Sequence, residues 1–194
     1  LQLLDAFNNQ MILPSEIRGE VYQARYNYKK VGKQATDIGT EVHDAIETYF
    51  KKEYLPDVNS EEAMSCIMSF MDWWRSVDGQ MIAMEEKLFG DGYAGRYDMI
   101  AYINGEVVLI DFKTSKAVYP NMGYQLAGYR KAYNDTRKKK QPEVERHAVL
   151  RLPKEEGDFE YVDLTDQYEQ DLEVFMTYVK LFHLLYGEEL AAQE

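Results

Sequence analysis

Asp98, Asp111 and Lys113 are of types that act together on phosphate esters, and they flank Asn104-Gly105. Asn-Gly between alternating apolar segments is a strong two-residue hairpin signal, because both central positions of a type I′ turn need positive φ. Such a loop makes Ile103 face Glu106, and continuing that register sets Asp98 opposite Asp111, with Cβ atoms about 4.5–5.5 Å apart on one face. Two carboxylates so placed repel, more strongly among neighbours as apolar as Tyr97, Met99, Ile110 and Phe112. A bound cation or one shared proton would compensate, and hard oxygen ligands at this separation suit Mg²⁺ or Mn²⁺. Period two brings Lys113 to the same face, where a lysine can orient or deprotonate an attacking water or stabilise charge developing on a phosphate. On the strand pattern alone, a solvated and ion-paired face is an equal reading of Asp-x-Lys.

The elements that must carry these residues follow from periodicity. The first 80 residues are predicted to be mainly helical. Val42, Ala45, Ile46, Tyr49 and Phe50 form one apolar stripe, and Met64, Ile67, Met68, Met71 and Trp74 form a second. Thr36 or Asp37 is the expected cap of the first. From 81 to 115 the period becomes two, predicting a small antiparallel sheet of Met81 to Phe89, Tyr93 to Ile103 and Glu106 to Lys113. Helical spacing returns over 121–135, strands are expected over 146–152 and 159–162, and an amphipathic helix over 164–187 closes the chain. The expectation is one α/β domain across 1–194: a helical portion to 80, a sheet-and-helix core over 81–163 and the closing helix.

The chain has 194 residues, 45% of them hydrophobic, enough for one core. No apolar run approaches membrane-spanning length, and the expectation is a soluble, cytoplasmic protein with no membrane partner. A single cysteine, Cys66, excludes a disulfide framework or a four-cysteine site within the chain and is expected to pack a helix. The net charge of -12 argues against a phosphate-rich partner. That objection is largely local: residues 155–173 hold nine acids and no Lys or Arg, which leaves 22 bases against 25 acids elsewhere.

Taken with their neighbours, these residues resemble a known family. Gly39-Thr40-Glu41-Val42-His43, Gly95-Arg96-Tyr97-Asp98, Ile110-Asp111-Phe112-Lys113-Thr114 and Gln125-Leu126-Ala127-Gly128-Tyr129 occur in that order. Over about residues 36–133 the chain resembles the RecB-like exonuclease branch of the PD-(D/E)XK superfamily, which includes phage recombination exonucleases and the mitochondrial genome maintenance exonuclease. The resemblance implies a restriction-endonuclease-like core, a central mixed sheet flanked by helices. It also implies that His43, Asp98, Asp111 and the carbonyl of Phe112 hold the metal, with Lys113 catalytic. Gln125 and Tyr129 would meet the DNA strand, and residues four apart on a helix share one face. A family acid on the first strand is Glu85 or Glu86, with Glu85 at the better distance. A lone histidine beside Val42 and Ile46 is ordinarily a core residue, so a ligand role for His43 rests on the motifs around it.

The implied activity is Mg²⁺- or Mn²⁺-dependent hydrolysis of DNA from free ends, in phage or bacterial recombination, repair or end processing. An endonuclease or a non-catalytic DNA-binding module on the same core are the alternatives. A homo-oligomer or a recombination partner protein is left open. Lys116, with Arg96 and Arg130, is a candidate phosphate contact, and His147 and His183 are read as structural. The iron-sulfur members of the branch need four cysteines, so this chain belongs with those that lack the cluster.

Overall fold

The computed structural model describes residues 37–155 and 157–191. Contacts divide the chain into Leu1–Asp37 and Ile38–Glu194, and the architecture below is that of the second unit. The helical expectation before residue 37, with Thr36 as a cap, lies outside the described residues.

Helix α1 covers residues 37–52, and α2 covers Glu61–Ser76. Ser60 caps α2, its Oγ accepting the amide hydrogen of Ala63 at 3.1 Å, so one donor left over at the helix start is satisfied. Strands β1 (Gly79–Met84), β2 (Lys87–Gly90), β3 (Tyr93–Arg96), β4 (Met99–Ile103) and β5 (Glu106–Lys113) follow. Helix α3 (Pro120–Thr136), β6 (Arg146–Arg151), β7 (Glu160–Asp163) and α4 (Tyr168–Ala191) complete the fold, a 3-10 turn at Thr165–Gln167 leading into α4. No helix among the described residues is long and apolar enough to cross a membrane.

Five strands form a mixed sheet in the order β1-β4-β5-β6-β7, and β2 with β3 forms a separate two-stranded sheet. Among the described residues only β5 and β6 pair in parallel. Parallel neighbours need a crossover rather than a tight turn, and α3 lies in that connection. Both strands are buried through their interiors, as strands covered on both faces are.

Alternation along β5 separates two cores. Val108, Ile110 and Phe112 join Met99, Ala101 and Ile103 against Val42, Ile46, Ile67, Phe70 and Trp73 of α1 and α2. Val107 and Leu109 join Ile100 and Val149 against Met122, Leu126, Ala132 and Tyr133 of α3. Asp111 and Lys113 continue the second series, so they emerge on the α3 face at the end of the strand. Phe70 closes the first core, its ring meeting those of Phe50, Trp73, Trp74 and Phe112. Its complete burial stabilises the fold by about 1.5–3 kcal/mol.

Three expectations need correction. Met81 to Phe89 is broken at Glu85-Glu86, and Tyr93 to Ile103 at Tyr97-Asp98, which yields two sheets instead of one three-stranded sheet. The buried face of α2 is Ala63, Cys66, Ile67, Phe70 and Trp73, whereas Met64 and Met68 are exposed; the large rings of Phe70 and Trp73 outcompete the methionines for the sheet. Asp37 is already helical. Cys66 packs as expected, its thiol buried against the carbonyls of Leu152 and Pro153.

Candidate active site

Pairing places three acids in one row across the strands. Met84 faces Met99 and Lys87 faces Arg96 in one continuous register, which sets Glu85 opposite Asp98 and Glu86 opposite Tyr97. The amide of Glu85 donates to Asp98 O at 2.9 Å, and that of Tyr97 to Glu86 O at 3.3 Å. On the other side Met99 faces Ile110, so Asp98 precedes the ladder at the level of Asp111. The Asn104-Gly105 turn sets this second register with both residues at positive φ, 51° and 91°. The ladder stops one pair short of expectation: Asp98 sits in a bend before β4, and its Oδ2 accepts the amide hydrogen of Phe112 at 2.6 Å. The pair is thus held by a side chain gripping the opposite backbone.

His43, from α1, completes the cluster. Its Nδ1 lies 3.4 Å from Glu85 Oε1 and 3.4 Å from Asp98 Oδ1, and its Nε2 lies 3.2 Å from Phe112 O. The ring stands edge-on to Phe112 at 5.7 Å, so the apolar packing of α1 on β5 also aims the imidazole. Donor atoms of His43, Glu85 and Asp98 lie within 4.8 Å of one another. Asp111 stands beside this trio, turned to Lys113, whose Nζ is 2.5 Å from Asp111 Oδ2. That approach is an ion pair without hydrogen-bond alignment, and Oδ2 is buried with no directed hydrogen bond among the described residues.

The electrostatics follow from burial. Asp98 and Asp111 are only 8% and 4% exposed. Burial, together with the charge of Asp98, pushes the Asp111 carboxyl up, against the pull of Lys113 and His43. Burial opposes the charge of His43 too, but the hydrogen bonds and charges of Asp98 and Glu85 outweigh it and push the imidazole up to about 10. Lys113 behaves likewise: burial is overcome by Asp111, and then by Asp98 and Tyr129, so the ammonium is held more firmly than usual. Buried carboxylates beside an imidazole and a backbone carbonyl are a donor set for a hard divalent cation. His43, Glu85, Asp98, Asp111 and the Phe112 carbonyl would hold it.

Helix α3 brings Gln125 and Tyr129 together, Gln125 Nε2 donating to Tyr129 Oη at 2.9 Å. The Tyr129 ring lies on Gly95, where a Cβ would meet it at 2.4 Å. Lys116 is exposed in the connection between β5 and α3. Arg130 does not face the site: its Nε donates to Val144 O at 3.2 Å and its guanidinium lies 4.3 Å over the Tyr168 ring, so packing accounts for it. His147 is fully buried, and His183 Nε2 meets Gly92 O at 2.6 Å, both away from the cluster. Glu86 is outside it too, accepting from Tyr97 Oη at 2.9 Å.

Sequence reasoning missed the grip of Arg96 on Glu85, 2.7 Å from Nε to Oε2. Its alternation gave no sign of it, because the contact depends on the left-handed backbone of Glu85, φ 54°. A separate groove along α2 is lined by Glu61, Glu62, Asp72 and Glu155 together with Lys154, and shares no residue with the cluster.

The sequence model of the PD-(D/E)XK nuclease superfamily matches residues 58–192. No curated protein sequence matches the chain. The matched span covers β1 to β7 and includes Glu85, Asp98, Asp111 and Lys113, while His43 precedes it. The five-stranded mixed sheet between α1–α2 and α3 has the restriction-endonuclease-like architecture of that group, and the chain belongs to the PD-(D/E)XK nuclease superfamily.

Proposed function

We propose that this nuclease is a Mg²⁺- or Mn²⁺-dependent exonuclease that hydrolyses DNA from free ends. The observation that carries the metal-dependent reading is the His43, Glu85 and Asp98 trio beside the Asp111–Lys113 pair. The exonuclease reading rests on the resemblance of His43, Gln125 and Tyr129 to the RecB-like branch. The same resemblance suggests recombination, repair or end processing in the cytoplasm of a bacterial or phage-infected cell.

When bound, a divalent cation supplies polarisation of the scissile phosphate and lowers the pKa of water. Asp98 is fixed for its role by the Phe112 amide, and Asp111 by the strand that carries it. Lys113, ion-paired with Asp111, stabilises charge on the phosphate oxygens as water adds and the P–O bond to the leaving nucleotide breaks. Gln125 and Tyr129, joined by their hydrogen bond, present a polar edge and an aromatic ring to the strand being cut, and Lys116 supplies a further cation to the backbone.

The test is degradation of end-labelled linear and closed circular DNA with Mg²⁺, Mn²⁺ or EDTA. Metal-dependent loss of the linear form alone supports an exonuclease. Cleavage of circles would replace it with an endonuclease, and inactivity with every metal would leave a DNA-binding module.

A further inference from the structure

Glu85 has a backbone that few residues with a side chain adopt. Its φ of 54° lies in the left-handed region, uncommon outside glycine and concentrated where surroundings over-determine it. Three contacts hold it there. Its amide donates to Asp98 O at 2.9 Å; its carbonyl accepts from Arg96 Nε at 3.0 Å; and the same Nε lies 2.7 Å from its own Oε2. One nitrogen of Arg96 thus grips the backbone and the carboxylate of Glu85 at once, leaving Oε1 aimed at His43 at 3.4 Å.

The far side of the guanidinium is braced from α1. Arg96 Nη2 is 3.8 Å from Glu47 Oε1, and Lys51 Nζ is 2.5 Å from the same oxygen. Glu47 lies four residues after His43, one turn along the same helix, so Arg96 ties the helix that supplies the imidazole to the bend that supplies the acid. The Arg96 side chain is 54% exposed while that of Glu85 is 8% exposed, so the arginine acts as an outer brace on a buried ligand.

We infer that Arg96 is a positioning residue of the metal site, which holds Glu85 in its left-handed conformation with one carboxylate oxygen facing His43 and Asp98. The inference rests on the metal-dependent reading above. It separates Arg96 from a simple phosphate contact, since a lysine would serve a phosphate but lacks the planar fork that turns Nε to Glu85 and Nη2 to Glu47. Outer groups that orient metal ligands typically change metal affinity by about 10–100-fold when removed.

The experiment is Mn²⁺ titration of the whole chain by calorimetry, without DNA, for the wild type, Arg96→Gln, Arg96→Lys, Glu85→Gln, the Glu85→Gln/Arg96→Gln double variant and Asp98→Asn. Chemical denaturation in EDTA checks that each variant is folded. Arg96→Gln is expected to weaken Mn²⁺ about 10-fold or more, with no rescue by Arg96→Lys. Because Arg96 acts through Glu85, its loss should add nothing once Glu85→Gln is present. Wild-type affinity in Arg96→Gln, rescue by lysine, or additive losses in the double variant would each overturn the inference. If Asp98→Asn loses Mn²⁺ while Arg96→Gln keeps it, only the role of Arg96 fails. A wild type that binds no Mn²⁺ would overturn the metal site and the inference together.

Discussion

Asp98 Oδ2 accepts the amide hydrogen of Phe112 at 2.6 Å, so the acid that precedes β4 is anchored to the strand that carries Asp111 and Lys113. The same contact satisfies a buried backbone donor at the point where the β4–β5 ladder has ended. Asp98 therefore has a structural duty separable from its charge. Asp98→Ala should lower stability by about 1–3 kcal/mol, the usual cost of an unsatisfied buried donor. Asp98→Asn keeps an acceptor oxygen for the Phe112 amide and should be less destabilising than Asp98→Ala while losing nuclease activity. Urea denaturation in EDTA, paired with a cleavage assay, measures both; equal destabilisation by the two variants would show that the contact is not what anchors the bend.

His43 is held protonated by the carboxylates around it. Its pKa is raised from an ordinary 6.5 to about 10, so in chelator its charge supports folding fully below pH 6.5, and that support fades as pH rises toward 10. A metal ligand must be neutral, so metal binding must expel this proton. Mn²⁺ should bind more tightly as pH rises from 6.5 to 8.5, with about one proton released per ion. Calorimetry in buffers of different ionisation enthalpy counts the proton, and His43→Gln should remove most of the release. Binding without proton release would show that His43 is not a ligand.

His147 titrates in the opposite sense. It is fully buried, neither ring nitrogen has a hydrogen-bond partner among the described residues, and burial together with Arg130 lowers its pKa to about 4. The unfolded chain takes up the proton first, so stability from this residue is intact above pH 6.5 and is lost as pH falls toward 4, by about 3 kcal/mol in all. His147→Leu should flatten that part of the acid limb and leave stability at pH 7.5 unchanged or improved. An acid limb of equal slope in the two proteins would contradict the assignment.

Gly95 is required for space. A Cβ there would meet the Tyr129 ring at 2.4 Å, so Gly95→Ala must displace the ring and with it the Gln125–Tyr129 hydrogen bond. The expected cost is about 1–3 kcal/mol, as for other overpacked contacts, together with weaker DNA binding. Tyr129→Ala removes the obstacle, so Gly95→Ala should cost much less in that background, a coupling that a double-mutant cycle reads directly. Additive effects would mean that the two residues do not act through one contact.

The parts of the site legible in the sequence were those controlled by local rules. Asn104-Gly105 set the β4–β5 register, and period two carried Lys113 to the face of Asp111. The β1 register was not legible. A bulge between Met81 and Ala83 inserts Ile82 and shifts β1 against β4 by one residue, and a one-residue slip exchanges the two faces of a strand. That slip makes Glu85, rather than Met84, the partner of Asp98, and no alternation pattern reveals it. The bend at Tyr97-Asp98 was hidden for the same reason, since the segment reads as one strand while its middle turns to let a side chain replace the ladder. The count of acids over 155–173 does not show their partners: Asp163 and Glu160 pair with Arg146 and Arg151 at 2.5 and 2.6 Å, and Asp171 is buried. Such pairings depend on the antiparallel register of β6 and β7, which composition does not reveal.

In the proposed reaction Asp111 and Lys113 have distinct roles in metal-dependent DNA hydrolysis. Single-turnover cleavage of a short end-labelled duplex across a Mn²⁺ series tests it most directly, for the wild type, Asp111→Asn and Lys113→Ala. Lys113→Ala should slow cleavage by about 100–1,000-fold at saturating metal, the usual effect of removing one group that stabilises transition-state charge, with its Mn²⁺ midpoint little changed. Asp111→Asn should lose activity and shift the metal requirement upward. Wild-type cleavage by either variant would contradict the assignment of the reaction to this pair.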